Sequence, residues 1–441
     1  MLTHAEPQSS TPTGAVQAPG QELHDLVAEL YPICRSLSGD GQRRTLGILR
    51  RHIDLAVHEV PSGTAVFDWT VPKEWNIRGA YINDARGRKV VDFADSNLHV
   101  VGYSVPVRRR LSLADLKPHL FTLPDHAAWI PYRTSYYRED WGFCLSHRRL
   151  LEMDDGEYEV CIDSTLAPGA MSYGELFLPG ERREEILISC HICHPSLAND
   201  NLSGIAVATW LAKYVSAAAR RYSYRFLFTP GTIGSIAWLA RNESQVGAIR
   251  AGLVLACLGD GGVFTYKKSR RGDALIDRAV PQALHDAGAS YRIMDFSPYG
   301  YDERQFCSPG FNLPVGCFMR TPHGCFPEYH TSADNLDFIR PEHLADSLAR
   351  CREIVDLLDG DRTFINLNPK CEPQLGKRGL YGSIGGAGGG RSRELALLWV
   401  LNGSDGANSL RDIAGRSGLP FETIAAAAHE LEQHGLLKEC T

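Results

Sequence analysis

No stretch of this 441-residue sequence approaches the ~20 consecutive apolar residues that a membrane-spanning helix needs. Met1 to Gly20 is rich in Ser, Thr, Pro, Gly and Ala, and it lacks the basic start and apolar run of an export signal. Positive charge is not in excess, with 46 Lys and Arg against 52 Asp and Glu and a formal charge of −6. A broad nucleic-acid surface, which draws on clustered basic residues, is therefore not expected. The twelve cysteines are scattered and form no disulfide framework of the kind small secreted domains carry. A soluble chain in the cytoplasm, with reduced thiols, is the expected setting. What is present is a 44% hydrophobic fraction beside 22% charge, enough for a sizeable core, in a chain long enough for two or three domains.

The texture changes along the chain. Residues 1–20 read as a disordered N-terminus, followed by helical spacing at Leu23, Leu26, Val27 and Leu30. Residues 66–151 carry short apolar runs such as Val90-Val91-Asp92-Phe93, separated by turn formers, and read as a β-rich insert. Residues 21–65 and 152–369 make one α/β domain. Its strand-like and helix-like segments alternate, beginning with the continuous apolar run Ile186-Leu187-Ile188. That alternation predicts a mostly parallel sheet with helices on both faces, and ligands in such sheets bind outside the carboxyl ends of the strands. Residues 370–391 read as a linker, because they contain the glycine-rich run from Gly382 to Gly390. Three short helices in 392–441 resemble a winged helix-turn-helix. Residues 391–441 hold five Lys and Arg against seven Asp and Glu, which argues for packing or self-association over DNA binding.

The densest chemistry is Cys190-His191-Ile192-Cys193-His194-Pro195, directly after the predicted buried strand. Alternation along a strand puts His191 and Cys193 on one face and Cys190 and His194 on the other, so the four are not expected around one ion. Asp200 lies in the polar loop Asn199 to Gly204, where it could equally cap a helix. Glu328-Tyr329-His330-Thr331 stands far downstream. Two imidazoles and a carboxylate, with a fourth position open to water, make a zinc site if the fold assembles them.

These segments resemble the co-catalytic zinc aminopeptidases, and more closely a bacterial aminopeptidase-like group with the same insert and C-terminal module. The resemblance rests on His191, on Asp200 within Asn199–Gly204, on Tyr301-Asp302-Glu303-Arg304-Gln305-Phe306 and on Tyr329–Asp334. It implies a zinc-exopeptidase-like α/β fold with His191, Asp200 and His330 as metal ligands. Three departures stand out. Cys193 occupies the position of a carboxylate that would orient the first histidine. Gly231, in Pro230-Gly231-Thr232-Ile233, stands where a glutamate is expected and should leave a gap there. The next strand offers only Asp260, which could be a substitute ligand or could cap a turn.

One zinc ion is accordingly expected in place of two, with Glu303 or Glu328 taking over as general base. Tyr132 and Arg133 of the insert, with Arg304 and His323, are expected to bind substrate, although packing alone would also explain the aromatic run around Tyr132. The expected activity is hydrolysis of a peptide or small-molecule amide, with a biosynthetic intermediate among the candidate substrates and a homo-oligomer as a candidate assembly. A metal-binding scaffold without catalysis is the alternative that Gly231 favours.

Overall fold

The computed structural model describes residues 17–380 and 390–440. The expected N-terminal segment lies largely outside them, but helix α1 already begins at Gln17 (Gln17–Leu30). Of the expected linker, residues 381–389 lie outside the described residues.

An eight-stranded sheet forms the body of the chain. In chain order its strands are β1 (Ala56–Pro61), β2 (Ala170–Leu178), β3 (Glu185–His191), β4 (Ser223–Thr229), β5 (Ile249–Leu255), β6 (Phe264–Lys267), β7 (Tyr291–Met294) and β8 (Val315–Met319). They lie side by side as β1-β2-β4-β3-β5-β8-β6-β7. The four central strands, β4, β3, β5 and β8, run parallel. Every residue of β3 is buried, as a strand covered on both faces requires. Ile186, Ile188 and Cys190 belong to one core and Leu187 to the other.

The first core is closed by α1 and by α3 (Gly204–Ser216), α5 (Leu275–Asp286) and α6 (Pro341–Gly360), α2 (Asp40–Leu49) lying at its edge. The second is closed by α4 (Ile233–Asn242) and by the insert. This is the mixed α/β sandwich that the alternation predicts.

The insert centres on a four-stranded antiparallel sheet, ordered Lys89–Asp92, Glu74–Asn83, Glu157–Ala167, Val107–Ser112. Glu157–Ala167 pairs on both sides there, so the insert runs past the boundary expected at residue 151. Arg43 of α2 clamps it to the body through both Glu74 oxygens, at 2.7 and 2.8 Å.

The C-terminal module is a three-stranded sheet with the helices Gly390–Gly403, Leu410–Ser417 and Phe421–Gln433. Its middle strand is Thr363–Asn366, so the module starts ahead of the expected linker. Ile413, Ile424, Leu431 and Leu437 merge with the first core. The Phe421 backbone N–H donates to Asp286 of α5 at 2.8 Å, and Arg411 pairs with the equally buried Asp361 at 3.1 Å. In DNA-binding helix-turn-helix proteins the start of the second helix meets the bases. Here that end is turned onto the body. No helix among the described residues is long and apolar enough to cross a membrane.

Candidate metal centre

The parallel strands deliver the chemistry at their carboxyl ends. β3 finishes on His191, and the chain leaves the strand there instead of continuing it. Strand alternation therefore no longer applies beyond His191. The His194 ring comes to 4.9 Å from that of His191, and their nitrogens gather with the Asp200 carboxylate within 4.8 Å. The expectation that His194 faces away is thus overturned. Pro195, which cannot continue a strand ladder, was the available signal. Arg35, almost fully buried, fixes this turn by donating to the carbonyls of His194 and Pro195 at 2.7 and 3.0 Å.

Asp200 sits in the tight turn Ala198–Ser203 that leads into α3. Its neighbours are stitched to the sheet. Asn199 donates to Asp260 at 2.8 Å and accepts from the Gly259 N–H. Asn201 donates to the Leu255 carbonyl and accepts from the Cys257 N–H. Asp334 accepts the backbone N–H groups of Asn199 and Asp200 at 2.6 and 3.0 Å. The result is a fully buried carboxylate with one imidazole on each oxygen: His191 Nε2 lies 2.9 Å from Oδ1, and His330 Nε2 lies 3.0 Å from Oδ2.

Burial opposes ionisation of Asp200, but its neighbour His194 and the hydrogen bonds from His191 and His330 hold it well below the usual carboxylate range. Burial likewise keeps His194 neutral by pulling it well below the ordinary imidazole value. A charged carboxylate beside a neutral His194 is the protonation state that zinc requires of these two ligands. Ligand atoms of His191, His194 and Asp200 lie within 4.8 Å of one another, donors of the type zinc takes, while His330 stands 3.0 Å from the other Asp200 oxygen. The donor set fits the metal.

The other expected residues divide. Tyr132 packs edge-on against both His194 and His330, with ring centroids 5.2 and 5.0 Å away. His323 is buried with its ring 6.4 Å from that of His191. Arg133 instead lies over Phe121 inside the insert, 4.3 Å from the ring centroid, and Arg304 is exposed. Asp260 spends both oxygens on Asn199, on the Gly262 N–H and on Thr321. It braces the loop and belongs to neither of the metal-capable groups among the described residues. Glu303 is fully buried, paired with Lys267, and accepts from the Tyr301 N–H. Glu328 is half-buried, beside Tyr329 whose ring stacks on His330 at 4.0 Å.

There is no gap at Gly231. The Tyr301 ring fills it, and a Cβ on Gly231 would overlap Tyr301 Cε1. The tyrosine hydroxyl donates to the Gly231 carbonyl at 3.1 Å and touches Cys193 Sγ at 3.2 Å. Sequence reading also missed Asp302. It accepts from Ser235 through Oδ1, leaves Oδ2 without a partner, and is pushed by burial up to about 6. It stands inside the Tyr301–Phe306 motif, where the sequence reading singles out Glu303 and Arg304 instead.

A parallel-centred α/β sheet with an imidazole–carboxylate cluster at its strand ends defines an aminopeptidase-like fold. The chain belongs to the family described as a domain of unknown function, DUF4910, which matches residues 24–361; a winged helix-turn-helix family matches 362–439. A Clostridium acetobutylicum protein named for polysaccharide biosynthesis, with an aminopeptidase-like domain, is 53% identical over 419 residues, covering 95% of this chain and 96% of its own. The crystal structure of a candidate peptidase from Clostridium acetobutylicum superposes with a TM-score of 0.92 at 51% identity, covering 96% of this chain and 97% of its own. A zinc aminopeptidase from Bacillus subtilis shares the fold at a TM-score of 0.56 and 12% identity, over 76% of this chain and 94% of its own.

Proposed function

We propose that this chain is a zinc-dependent hydrolase of a peptide or small-molecule amide bond. The observation that supports it is the Asp200 carboxylate, buried and ionised, with His191 on one oxygen and His330 on the other. One zinc ion is held by these three residues, with His194 adding a nitrogen from the adjoining turn. When bound, zinc lowers the pKa of a coordinated water and polarises the scissile carbonyl. Of the two glutamates expected as general base, Glu303 is paired with Lys267, so Glu328 would be the one to accept a proton. Tyr132 walls the cluster on the insert side. The polysaccharide-related name of the Clostridium relative supports a biosynthetic intermediate as substrate.

The filled space at Gly231 favours a second reading, a metal-binding scaffold without turnover. Elemental analysis should find about one zinc per chain, largely lost in His191→Ala and in His330→Ala. A panel of aminoacyl and glycosyl amides, assayed before and after metal removal and restoration, separates the two readings. Retention of full metal in both variants would sink the ligand assignment.

A further inference from the structure

We propose that the exposed rings of Phe67, Trp69 and Tyr137 form a stacking platform for the pyranose rings of a glycosylated substrate. It rests on the reading above for the reaction, and names the substrate class of the same site.

The platform runs into the cluster without a break. Ala65–Val66 and Trp69–Thr70 pair as a hairpin whose two-residue turn is Phe67-Asp68. Val66 is buried in the second core with Ile233 and Ile236, so the hairpin is seated beside α4, the helix that follows Gly231. Trp69 lies 5.3 Å from Tyr137, ring centre to ring centre. The next residue back, Tyr136, brings its hydroxyl to 2.8 Å from that of Tyr132, whose ring meets His330 at 5.0 Å. The His330 side chain is 34% exposed where those of His191 and Asp200 are 1% exposed, so the row ends where the cluster opens to solvent. At the far end Phe67 meets Phe311 at 5.7 Å.

Two observations set this row apart from core packing. Aromatic side chains in a core are buried, yet Phe67, Trp69 and Tyr137 are 53%, 45% and 53% exposed. A positive φ in a two-residue hairpin turn normally falls to glycine, asparagine or aspartate. Phe67 has φ +58°, and Tyr136, which hands the row on to Tyr132, has φ +29°. Non-glycine residues held in that region cluster at ligand clamps and active sites. Here they keep rings facing outward where a turn-forming glycine would be the relaxed choice.

The occupant follows from the rim and the ring angles. A protein or lipid partner needs continuous apolar surface. Exposed Asp68 separates Phe67 from Trp69, and the ion pairs Lys73–Glu139 and Arg138–Asp140 border Tyr137. A planar base gains most in a slot between two parallel rings, but neighbouring rings here are inclined at 58° and 66° and leave single faces open. A pyranose matches both features. Its C–H face meets the negative face of an aromatic ring, and its hydroxyls reach charged groups at the rim as donors or acceptors.

The test uses full-length protein stripped of metal by chelator, so that binding is read without turnover. Saturation-transfer NMR follows N,N′-diacetylchitobiose, with uridine and leucinamide as comparisons. We expect transfer to the sugar-ring protons, with affinity about tenfold lower in Trp69→Ala and in Tyr137→Ala. Trp69→Phe, which keeps a ring face, should retain most of the binding. Phe177→Ala removes an exposed ring toward the amino end of β4 and should retain all of it. No transfer to the sugar, undiminished transfer in both alanine variants, or stronger transfer to uridine or leucinamide would each overturn the proposal. Metal analysis judges the zinc reading separately: a chain that binds the sugar without taking up zinc keeps this platform and loses that reading, and a zinc protein without sugar binding does the reverse.

Discussion

The loop that carries Asp200 and the strand end that carries Gly231 are reached from neighbouring parallel strands, where His191 pairs with Thr229, yet they are held in opposite ways. Polar contacts over-determine the Asp200 loop: Asn199, Asn201 and Asp334 each tie it to a different part of the sheet edge. On the Gly231 side a tyrosine from seventy residues away is packed into the strand end, its hydroxyl donating to the Gly231 carbonyl. The difference teaches that metal retention and proton handling are built separately here. The first half keeps the donors and their supports, while the second has been repacked around Tyr301.

Removing the pivot of the stitched half should have the largest effect. Asp200→Asn keeps the shape but loses the charge that two imidazoles share, so bound metal should fall to near background in elemental analysis. If the variant keeps its metal, the His191–Asp200–His330 cluster is not the metal centre, and the comparison breaks. Hydrogen exchange of Asn199 and Asn201 would show whether the loop persists without the charge.

The repacked half predicts a smaller, graded response. Gly231→Glu forces its first side-chain carbon into the Tyr301 ring, and such overpacking typically costs about 1–3 kcal/mol. We expect a lower urea midpoint and no gain in amide hydrolysis. Adding Tyr301→Ala makes room, so the double variant should recover stability relative to Gly231→Glu alone and place a carboxylate beside the cluster. If the single variant folds normally and hydrolyses amides better, Tyr301 yields easily and the side is not repacked.

The stitched half is largely legible in the sequence, because one short motif holds His191 and Asp200 nine residues apart and a second holds His330. The supports are not. Asp260 reads equally well as a ligand or a turn former, and only the fold shows its oxygens committed to Asn199, Gly262 and Thr321. His194 is misplaced when strand alternation is carried past His191, where the strand has already ended. The content of the Gly231 side depends on a tyrosine placed by the helix-and-turn region before β8, which no local pattern connects to residue 231. Both domain boundaries fail for a related reason: a strand is grouped with its sequence neighbours, although Glu157–Ala167 and Thr363–Asn366 find their partners in the insert and the C-terminal module.

The last expected effect is a pH dependence confined to the stitched half. Asp334 is fully buried, and burial pushes its carboxyl from the ordinary 3.8 up to about 8, even though the Asn199 and Asp200 N–H groups favour the charged form. A carboxyl whose folded pKa is raised binds more protons folded than unfolded. Its contribution is therefore complete below about pH 4, declines as pH rises, and is gone above about pH 8. The metal-free protein should lose stability between about pH 6 and about pH 8, near-neutral conditions chosen to stay inside that window. Asp334→Asn removes the titration and keeps one oxygen to accept a backbone N–H, so its urea midpoint should be flatter across the same range. The measurement is paired denaturation of both proteins at each pH, with Gly231→Ala, which crowds Tyr301 without adding a titrating group, as the control from the other half. That control should keep the wild-type slope. An equally flat Gly231→Ala profile would mean that the two halves are coupled, and that the separation drawn from their contacts does not hold.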